Sequence, residues 1–274
     1  MPIFRDQPLA STNLDRQGER LSKHFLEQCC ADMSSRRFPV HQEHDMRRPV
    51  SGYIENPRLV PDVDHPGEWR LIGDVYVDEG ALEDVLGGFS ISGMEIIRRT
   101  EDATALLYLP FPHYNDEDLL VQVLADAALG VGKWIKKGAE PLGWVLLGSV
   151  VAFAITPIWD DIYKRKIAPR IDGLIAGLLP ALRKRGLAAE LVQIVLFKEA
   201  EVEVRIIPVQ GKEEICLHSS AVERGLREVV NFLRVDVTAQ AIGVKRIVIF
   251  FDEVLGAYKL HRIEYVDGRV EHLA

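Results

Sequence analysis

FPVHQEHDMRRPVSGYI (residues 38–54) and LGGFSISG (residues 86–93) are the two stretches of sequence around which the chain is organised. The first carries a histidine, His44, followed by an acidic residue and a strand-like run, and the second carries a serine, Ser90, flanked by apolar residues. Their β-branched and aromatic residues predict that His44 lies at the entry to a strand and that Ser90 lies within one. A serine hydroxyl is a weak nucleophile until a histidine held close in space removes its proton, so the two stretches indicate one site.

The residues around these stretches predict an α+β fold for the first half of the chain. Ser22 predicts the N-cap of a helix over 22–33, a short helix is predicted over 79–86, and a longer one over 115–137. Strands are predicted at 39–56, 69–78, 96–97 and 104–109. Most of these strands are short and close in sequence, which favours antiparallel pairing.

The second half of the chain predicts a small α+β module over residues 187–274. A helix over 167–185 leads into it, and the module itself is predicted to contain strands at 190–197, 201–209 and 214–217, a helix over 219–233, and strands at 246–252, 258–265 and 269–273. Acidic and basic residues are scattered through this pattern without forming a constellation. We therefore interpret the module as a recognition or assembly domain.

Composition sets limits on the class of protein. The chain has 274 residues, of which 47% are hydrophobic and 27% charged, as in globular proteins. A net charge of −8 argues against nucleic-acid binding driven by phosphate contacts. Three cysteines, two of them adjacent, form no even-numbered framework, and the N-terminus lacks a secretory pattern. We therefore expect a cytoplasmic location.

Residues 141–159 form an uncharged stretch with Trp144 and Trp159 near its ends. About 20 apolar residues are needed to cross a membrane as a helix, and interfacial aromatics favour such ends. Pro141 and Pro157 shorten the uninterrupted helix to a length that also suits a buried helix or an oligomer contact. We predict a hydrophobic helix and a linker helix over 139–186, with membrane association and a homo-oligomer, a dimer or larger, as the expectations that follow.

Other ligand sites are not expected. A strand would place His41 and His44 on opposite faces, so a metal held by them with Glu43 or Asp45 is not predicted. No glycine-rich phosphate loop is present, and no cofactor is predicted. Ser92 would share a strand face with Ser90 and is the second candidate for the nucleophile.

Taken in order, these residues resemble the capsid-maturation serine proteases, namely the phage prohead proteases and the herpesvirus assemblin-type proteases. The resemblance covers residues 10–120 and lies in DRQGE (15–19), in His44-Asp45 ahead of Pro49-Val50-x-Gly52, and in GFSI (88–91). It implies a barrel-like, mostly antiparallel protease domain over residues 1–138. His44 takes the position of the general base and Ser90 that of the nucleophile.

A third catalytic residue and two departures also follow from the resemblance. His113, in FPHYNDED (111–118), resembles the second histidine of the assemblin type, about two dozen residues after the serine. Ser92 stands where these families usually have glycine, and the arginine pair that follows the serine in assemblins is delayed here to Arg98 and Arg99. Backbone amides or these arginines would support the oxyanion.

The function that the resemblance implies is that of a serine endopeptidase. Its substrate would be a protein, either the chain itself or a partner, and the activity could serve regulation or defence rather than capsid maturation. The alternative is a binding or membrane-associated module with a protease fold and no catalysis, which the change at Ser92 keeps open.

Overall fold

The structure is a computed structural model that describes residues 2–15, 18–41, 45–78, 92–136, 144–149, 153–154 and 168–273. The chain divides into two compact units. One comprises Met1–Gly93, Ile135–Glu140 and Val266–Val270, and the other Met94–Trp134, Pro141–Tyr265 and Glu271–Ala274. The expected boundary at residue 138 does not coincide with this division, because residues 94–134 belong to the second unit.

The described residues of the first unit form a four-stranded antiparallel sheet and one helix. The strands are β1 (Ile3–Ser11), β2 (Phe38–His41), β3 (Val50–Pro61) and β4 (Trp69–Val77), in the order β1-β4-β3-β2. Helix α1 (Lys23–Ser34) begins after Ser22, whose hydroxyl accepts the backbone N–H of Phe25, as the sequence predicts. Its buried Leu26 and Met33 belong to the same core as Ile54, Leu71 and Val75 of the sheet.

The second unit is built on a ten-stranded mixed sheet. Its main path runs in the order β14-β13-β12-β11-β10-β8-β6-β7-β5, and β9 pairs with β10. The strands are β5 (Ser92–Arg98), β6 (Ala105–Pro110), β7 (Leu129–Lys136), β8 (Trp144–Ser149), β9 (Phe153–Ala154), β10 (Ala188–Phe197), β11 (Ala200–Ile207), β12 (Val244–Asp252), β13 (Ala257–Tyr265) and β14 (Val270–His272).

Helices of the second unit share a hydrophobic core with its sheet. They are α2 (Glu117–Leu124), α3 (Ala168–Arg183), α4 (Glu213–Cys216), α5 (Ser219–Val235) and α6 (Val237–Ile242). Leu182 and Leu226 on the helices lie in one cluster with Leu107, Val204 and Ile247 of the strands, and all five are fully buried. Apolar residues alternate along many of these strands, and that alternation is the pattern from which most of the strands were predicted.

The predicted helix over 115–137 is wrong in its second half. Helix α2 ends at Leu124, and the carboxylate of Asp126 accepts the backbone N–H of Ala128 in the turn that follows. Residues Leu129–Lys136 then form β7, which runs parallel to β6. The apolar residues there alternate with small ones, so Leu129 and Val131 enter the core as strand residues. The strand predicted at 214–217 is likewise wrong, because Glu213–Cys216 is helical.

The predicted hydrophobic helix over 141–159 is also wrong wherever the structure describes it. Trp144–Ser149 is β8, paired on one side with β6 and on the other with β10, and Phe153–Ala154 is β9. Val145, Leu146 and Leu147 are all buried, so both faces of β8 are covered. A strand inside a sheet needs an uncharged run for the same reason that a buried helix does.

Two further expectations are corrected by the architecture. In the described residues no helix is both long enough and apolar enough to span a membrane. The described strands form two open sheets rather than the expected barrel-like domain, while the α+β class itself is confirmed. Antiparallel pairing dominates the first unit, as predicted, whereas β6 and β7 pair in parallel.

Candidate functional site

Strands flank the two stretches that carry the predicted base and nucleophile. His44 and Ser90 lie outside the described residues, as does the predicted helix over 79–86. The strand β2 ends at His41 and β3 begins at Val50, so the segment with His44 connects two antiparallel neighbours. The strand β5 begins at Ser92, two residues beyond Ser90. Both predicted catalytic residues therefore lie within three residues of a strand end in sequence.

The residues after His44 form a tight turn. The carboxylate of Asp45 accepts the backbone N–H of Arg47 at 2.9 Å and lies 3.3 Å from its guanidinium. The carbonyl of Asp45 also accepts the N–H of Arg48. Asp45 is therefore engaged with its own turn, and the acidic residue of the His-Asp pair has a structural role in ordering the entry to β3.

Gly52 explains the glycine of the Pro-Val-x-Gly motif. Its φ is +149°, and a Cβ added there would lie 1.9 Å from the carbonyl oxygen of Tyr76 on β4. The side chains on either side of this close approach pack tightly, with the rings of Tyr53 and Tyr76 stacked at 4.7 Å. The motif therefore marks a place where two strand backbones approach more closely than any side chain would allow.

Arg98 and Arg99, the expected oxyanion support, lie at the end of β5 and just beyond it. Both residues are exposed, and neither forms an ion pair with a described residue. The charge of Arg99 acts on Tyr108 of β6, where burial raises the pKa of the phenol and Arg99 lowers it by a smaller amount. The Ser92 backbone belongs to β5.

His113 starts a short 3-10 turn, His113–Asn115, that connects β6 to α2. The backbone of this turn is held by Asp116, whose N–H donates to the carbonyl of His113 at 3.1 Å. Asp116 is also the N-cap of α2, because its carboxylate accepts the N–H of Leu119 at 2.9 Å. The ring of His113 is half-buried. His113 belongs to the second unit, whereas residues 44 and 90 belong to the first.

Arg185 is the residue near His113 that the sequence did not indicate. Its guanidinium donates two hydrogen bonds to the carboxylate of Asp116, from Nε to Oδ2 at 2.6 Å and from Nη2 to Oδ1 at 3.1 Å. A third donor, Nη1, bonds the carbonyl of Ala181 at 3.1 Å. Arg185 and Asp116 are 69 residues apart in sequence, and no local pattern predicts their pairing.

The paired hydrogen bonds between Arg185 and Asp116 influence the pKa values of the groups around the turn. The hydrogen bonds from Arg185 lower the pKa of Asp116 to about 2, with help from the N–H of Leu119. Burial lowers the pKa of His113, Asp116 raises it, and the charge of Arg185 lowers it, so that the net shift is downward. The neutral form of the imidazole is therefore favoured at neutral pH.

A row of charged side chains in the second sheet was also missed. Glu203, Arg246 and Glu264 are direct neighbours across β11, β12 and β13. Arg246 donates from Nε to Glu203 and from Nη1 to Glu264, both at 2.8 Å, while Arg205 donates to Glu203 at 2.5 Å. Four of the acids and bases of this half thus form one network. Its signal in sequence is the alternation of charged with apolar residues inside strands.

His218 and Ser220 lie together at the start of α5. Nδ1 of His218 is 2.9 Å from the hydroxyl of Ser220, and Nε2 is 3.7 Å from the carboxylate of Asp172. Nδ1 also accepts the backbone N–H of Ser220, so the ring acts as the N-cap of the helix. His218 and Ser220 are both exposed. Helix capping accounts for this arrangement without catalysis.

Comparison with known proteins adds no further assignment. The chain matches no protein-family model, no curated protein and no solved structure. Within the described ranges, no group of three or more His, Cys, Asp or Glu side chains could hold a metal ion. Of the three predicted catalytic residues the structure describes His113 alone, and the proposed function rests on the resemblance and on the local geometry of the described residues.

Proposed function

We propose that the chain is a serine endopeptidase of the capsid-maturation type, with Ser90 as the nucleophile, His44 as the base and His113 as the third catalytic residue. It cleaves itself or a partner protein in the cytoplasm, and its activity serves regulation or defence. The support for the cytoplasmic location is that Cys29, Cys30 and Cys216 are all free thiols.

The observation that carries the proposal is the framework of strands around the motif residues. In the resemblance, the base precedes a Pro-Val-x-Gly strand and the nucleophile lies in a Gly-Phe-Ser-Ile strand. The described strand β3 begins at Val50 and contains Gly52, and β5 begins two residues after Ser90. Gly52 is required by the backbone of β4, so the motif has a physical reason in this chain.

The chemistry assigns a distinct role to each residue. His44 takes the proton of the Ser90 hydroxyl as that oxygen attacks the carbonyl carbon of the substrate, and then gives the proton to the leaving amine. His113 orients the ring of His44 and stabilises its charged form. Water then hydrolyses the acyl-enzyme ester and returns Ser90 to its starting state. Backbone amides, or the exposed Arg98 and Arg99, stabilise the oxyanion.

A fluorophosphonate probe tests this proposal directly. The purified chain should react with the probe, and mass spectrometry should find the label on Ser90. Ser90→Ala should abolish labelling because the activated hydroxyl is gone, and any self-cleavage should stop with it. Ser220→Ala is the matched control and should label like the unchanged chain.

Two outcomes would contradict the assignment in different ways. A label on Ser92 or Ser220 would move the nucleophile. A folded chain that takes up no label at any serine would favour the alternative, a binding module that retains the protease fold without catalysis.

A further inference from the structure

We propose that Arg185 is a positioning residue that acts through Asp116 to hold His113 in place and in its neutral form. The inference rests on the proposed function for its catalytic meaning. Its physical content, a coupling between three named side chains, can be measured without any activity.

Geometry provides the mechanical part of the coupling. Arg185 grips both oxygens of the Asp116 carboxylate, and its third hydrogen bond, to Ala181, ties the guanidinium to the end of α3. Asp116 in turn donates its backbone N–H to His113. A bidentate fork fixes the plane of the carboxylate, which a single hydrogen bond would not. The turn that presents His113 is therefore fastened to a helix far away in sequence.

The charges around the turn provide the electrostatic part of the coupling between Arg185 and His113. The charged groups that the structure describes around the turn include Asp116, Glu117 and Asp118 at the start of α2, Arg185 after α3, and Lys133 on β7, whose Nζ lies 5.5 Å from the ring centre of Tyr114. Asp116 alone would favour a protonated His113. Burial is the largest cause of the lowered pKa of His113, and Asp116 opposes it. Arg185 offsets part of the effect of that carboxylate and repels a proton on the ring, so both of its effects favour the neutral imidazole.

A neutral His113 is what the proposed role needs. A third catalytic histidine must accept the N–H of the base through an unprotonated ring nitrogen. If it were protonated it would also repel the positive charge that develops on His44 during the reaction. Arg185 would thereby extend activity toward lower pH, although it touches neither the substrate nor the reacting atoms.

The test is an NMR titration of the histidine rings in the full chain, with His113→Gln used to assign the signal. Arg185→Ala should raise the pKa of His113, because a lowering charge is lost and Asp116 is released. Asp116→Asn should lower it, because the carboxylate that favours the proton is removed while the amide oxygen can still cap α2. Arg185→Lys, which keeps the charge, should leave the pKa closer to that of the unchanged chain than Arg185→Ala does.

Opposite signs distinguish this coupling from loss of structure. Local unfolding would return the pKa toward its ordinary value in both variants, which is a rise in each. Arg227→Ala, which removes an exposed arginine paired with Glu223 on α5, is the control and should change nothing. A rise in both variants, or shifts no larger than that of the control, would overturn the proposal.

The NMR titration and the fluorophosphonate labelling can fail independently of each other. If Ser90 takes up the fluorophosphonate label, the acid limb of kcat/KM should move to higher pH in Arg185→Ala. Labelled Ser90 with no shift in the NMR titration would refute only the role of Arg185. The expected NMR shifts in a chain without labelling would refute only the protease assignment.

Discussion

At the scale of single residues, a charged side chain affects stability most where it is buried away from water. Burial raises the pKa of Glu203, but Arg205 and Arg246 together lower it by more, so the carboxylate stays ionised. Arg262, at the edge of the same network, is fully buried, and its Nε lies 3.2 Å from Glu264. Such groups contribute to stability only as a set, because each charge is tolerated only while its partners remain.

Removing one member of this network should be costly. Arg246→Met keeps most of the side-chain volume but leaves Glu203 and Glu264 without their shared donor. We expect a loss of about 3 kcal/mol in the free energy of unfolding, the lower end of the range for broken buried pairs, because the Arg246 side chain retains 18% exposure. Urea unfolding followed by circular dichroism measures the change.

The control for this substitution is an arginine on the surface. Arg227 pairs with Glu223 one turn away on α5, and exposed pairs of this kind stabilise by only about 0.3–0.5 kcal/mol. If Arg227→Met and Arg246→Met had equal effects, the charged row across β11, β12 and β13 would not act as a buried network.

At the scale of elements, the pairing of β3 with β4 depends on one glycine. Gly52→Ala would place a methyl group against the backbone of Tyr76, and a strand backbone cannot move aside as a flexible side chain can. We expect a loss of about 3 kcal/mol or more, since a steric clash adds to the strain of the backbone conformation. Thermal unfolding of the purified variant measures it.

Gly67→Ala separates the two contributions to that loss. Gly67 also has a positive φ, +92°, but a Cβ added there meets nothing within 4 Å. This variant should show the strain alone, roughly 1–2 kcal/mol. Equal losses in the two variants would mean that the approach of β3 to β4 at Gly52 has no energetic consequence.

At the scale of the whole molecule, the free energy of unfolding should fall steeply in acid. The hydrogen bonds of Arg185 hold the pKa of Asp116 at about 2. Burial raises the pKa of Asp62, but four hydrogen bonds, from Asn13, the backbone of Asp64, His65 and Arg70, together lower it by more. A carboxyl group whose folded-state pKa is depressed stabilises the fold fully above its unfolded value, near 4. That stabilisation is lost as the pH falls through the folded value.

Urea midpoints should therefore change little between pH 7 and pH 5 and should fall steeply between pH 4 and pH 2. Asp116→Asn should have a lower midpoint at pH 7 and a shallower fall in acid, since one of the linked protons is gone. Asp102→Asn, at an exposed turn, serves as the comparison and should follow the unchanged chain. A midpoint that stays constant down to pH 2 would contradict the assigned carboxylate interactions.

Much of the secondary structure could be predicted because it depends on local patterns. Ser22 caps α1 through a hydroxyl three residues from its partner, and the apolar period of α3 and α5 is visible in sequence. Strands such as β4, β10 and β12 alternate or cluster their β-branched residues where predicted. These signals are local, so tertiary contacts were not needed to interpret them.

The sequence by itself thus determined the α+β class, the N-cap of α1, the apolar periodicity of several helices, and a motif whose glycine has a steric reason. Only the tertiary structure decided that residues 129–136 and 144–149 are strands, because burial on both sides of a sheet demands the same apolar runs as a buried helix. The tertiary structure alone also paired Arg185 with Asp116 and aligned Glu203, Arg246 and Glu264. Charge interactions depend on distance in space, and the order of residues along a chain does not specify that distance.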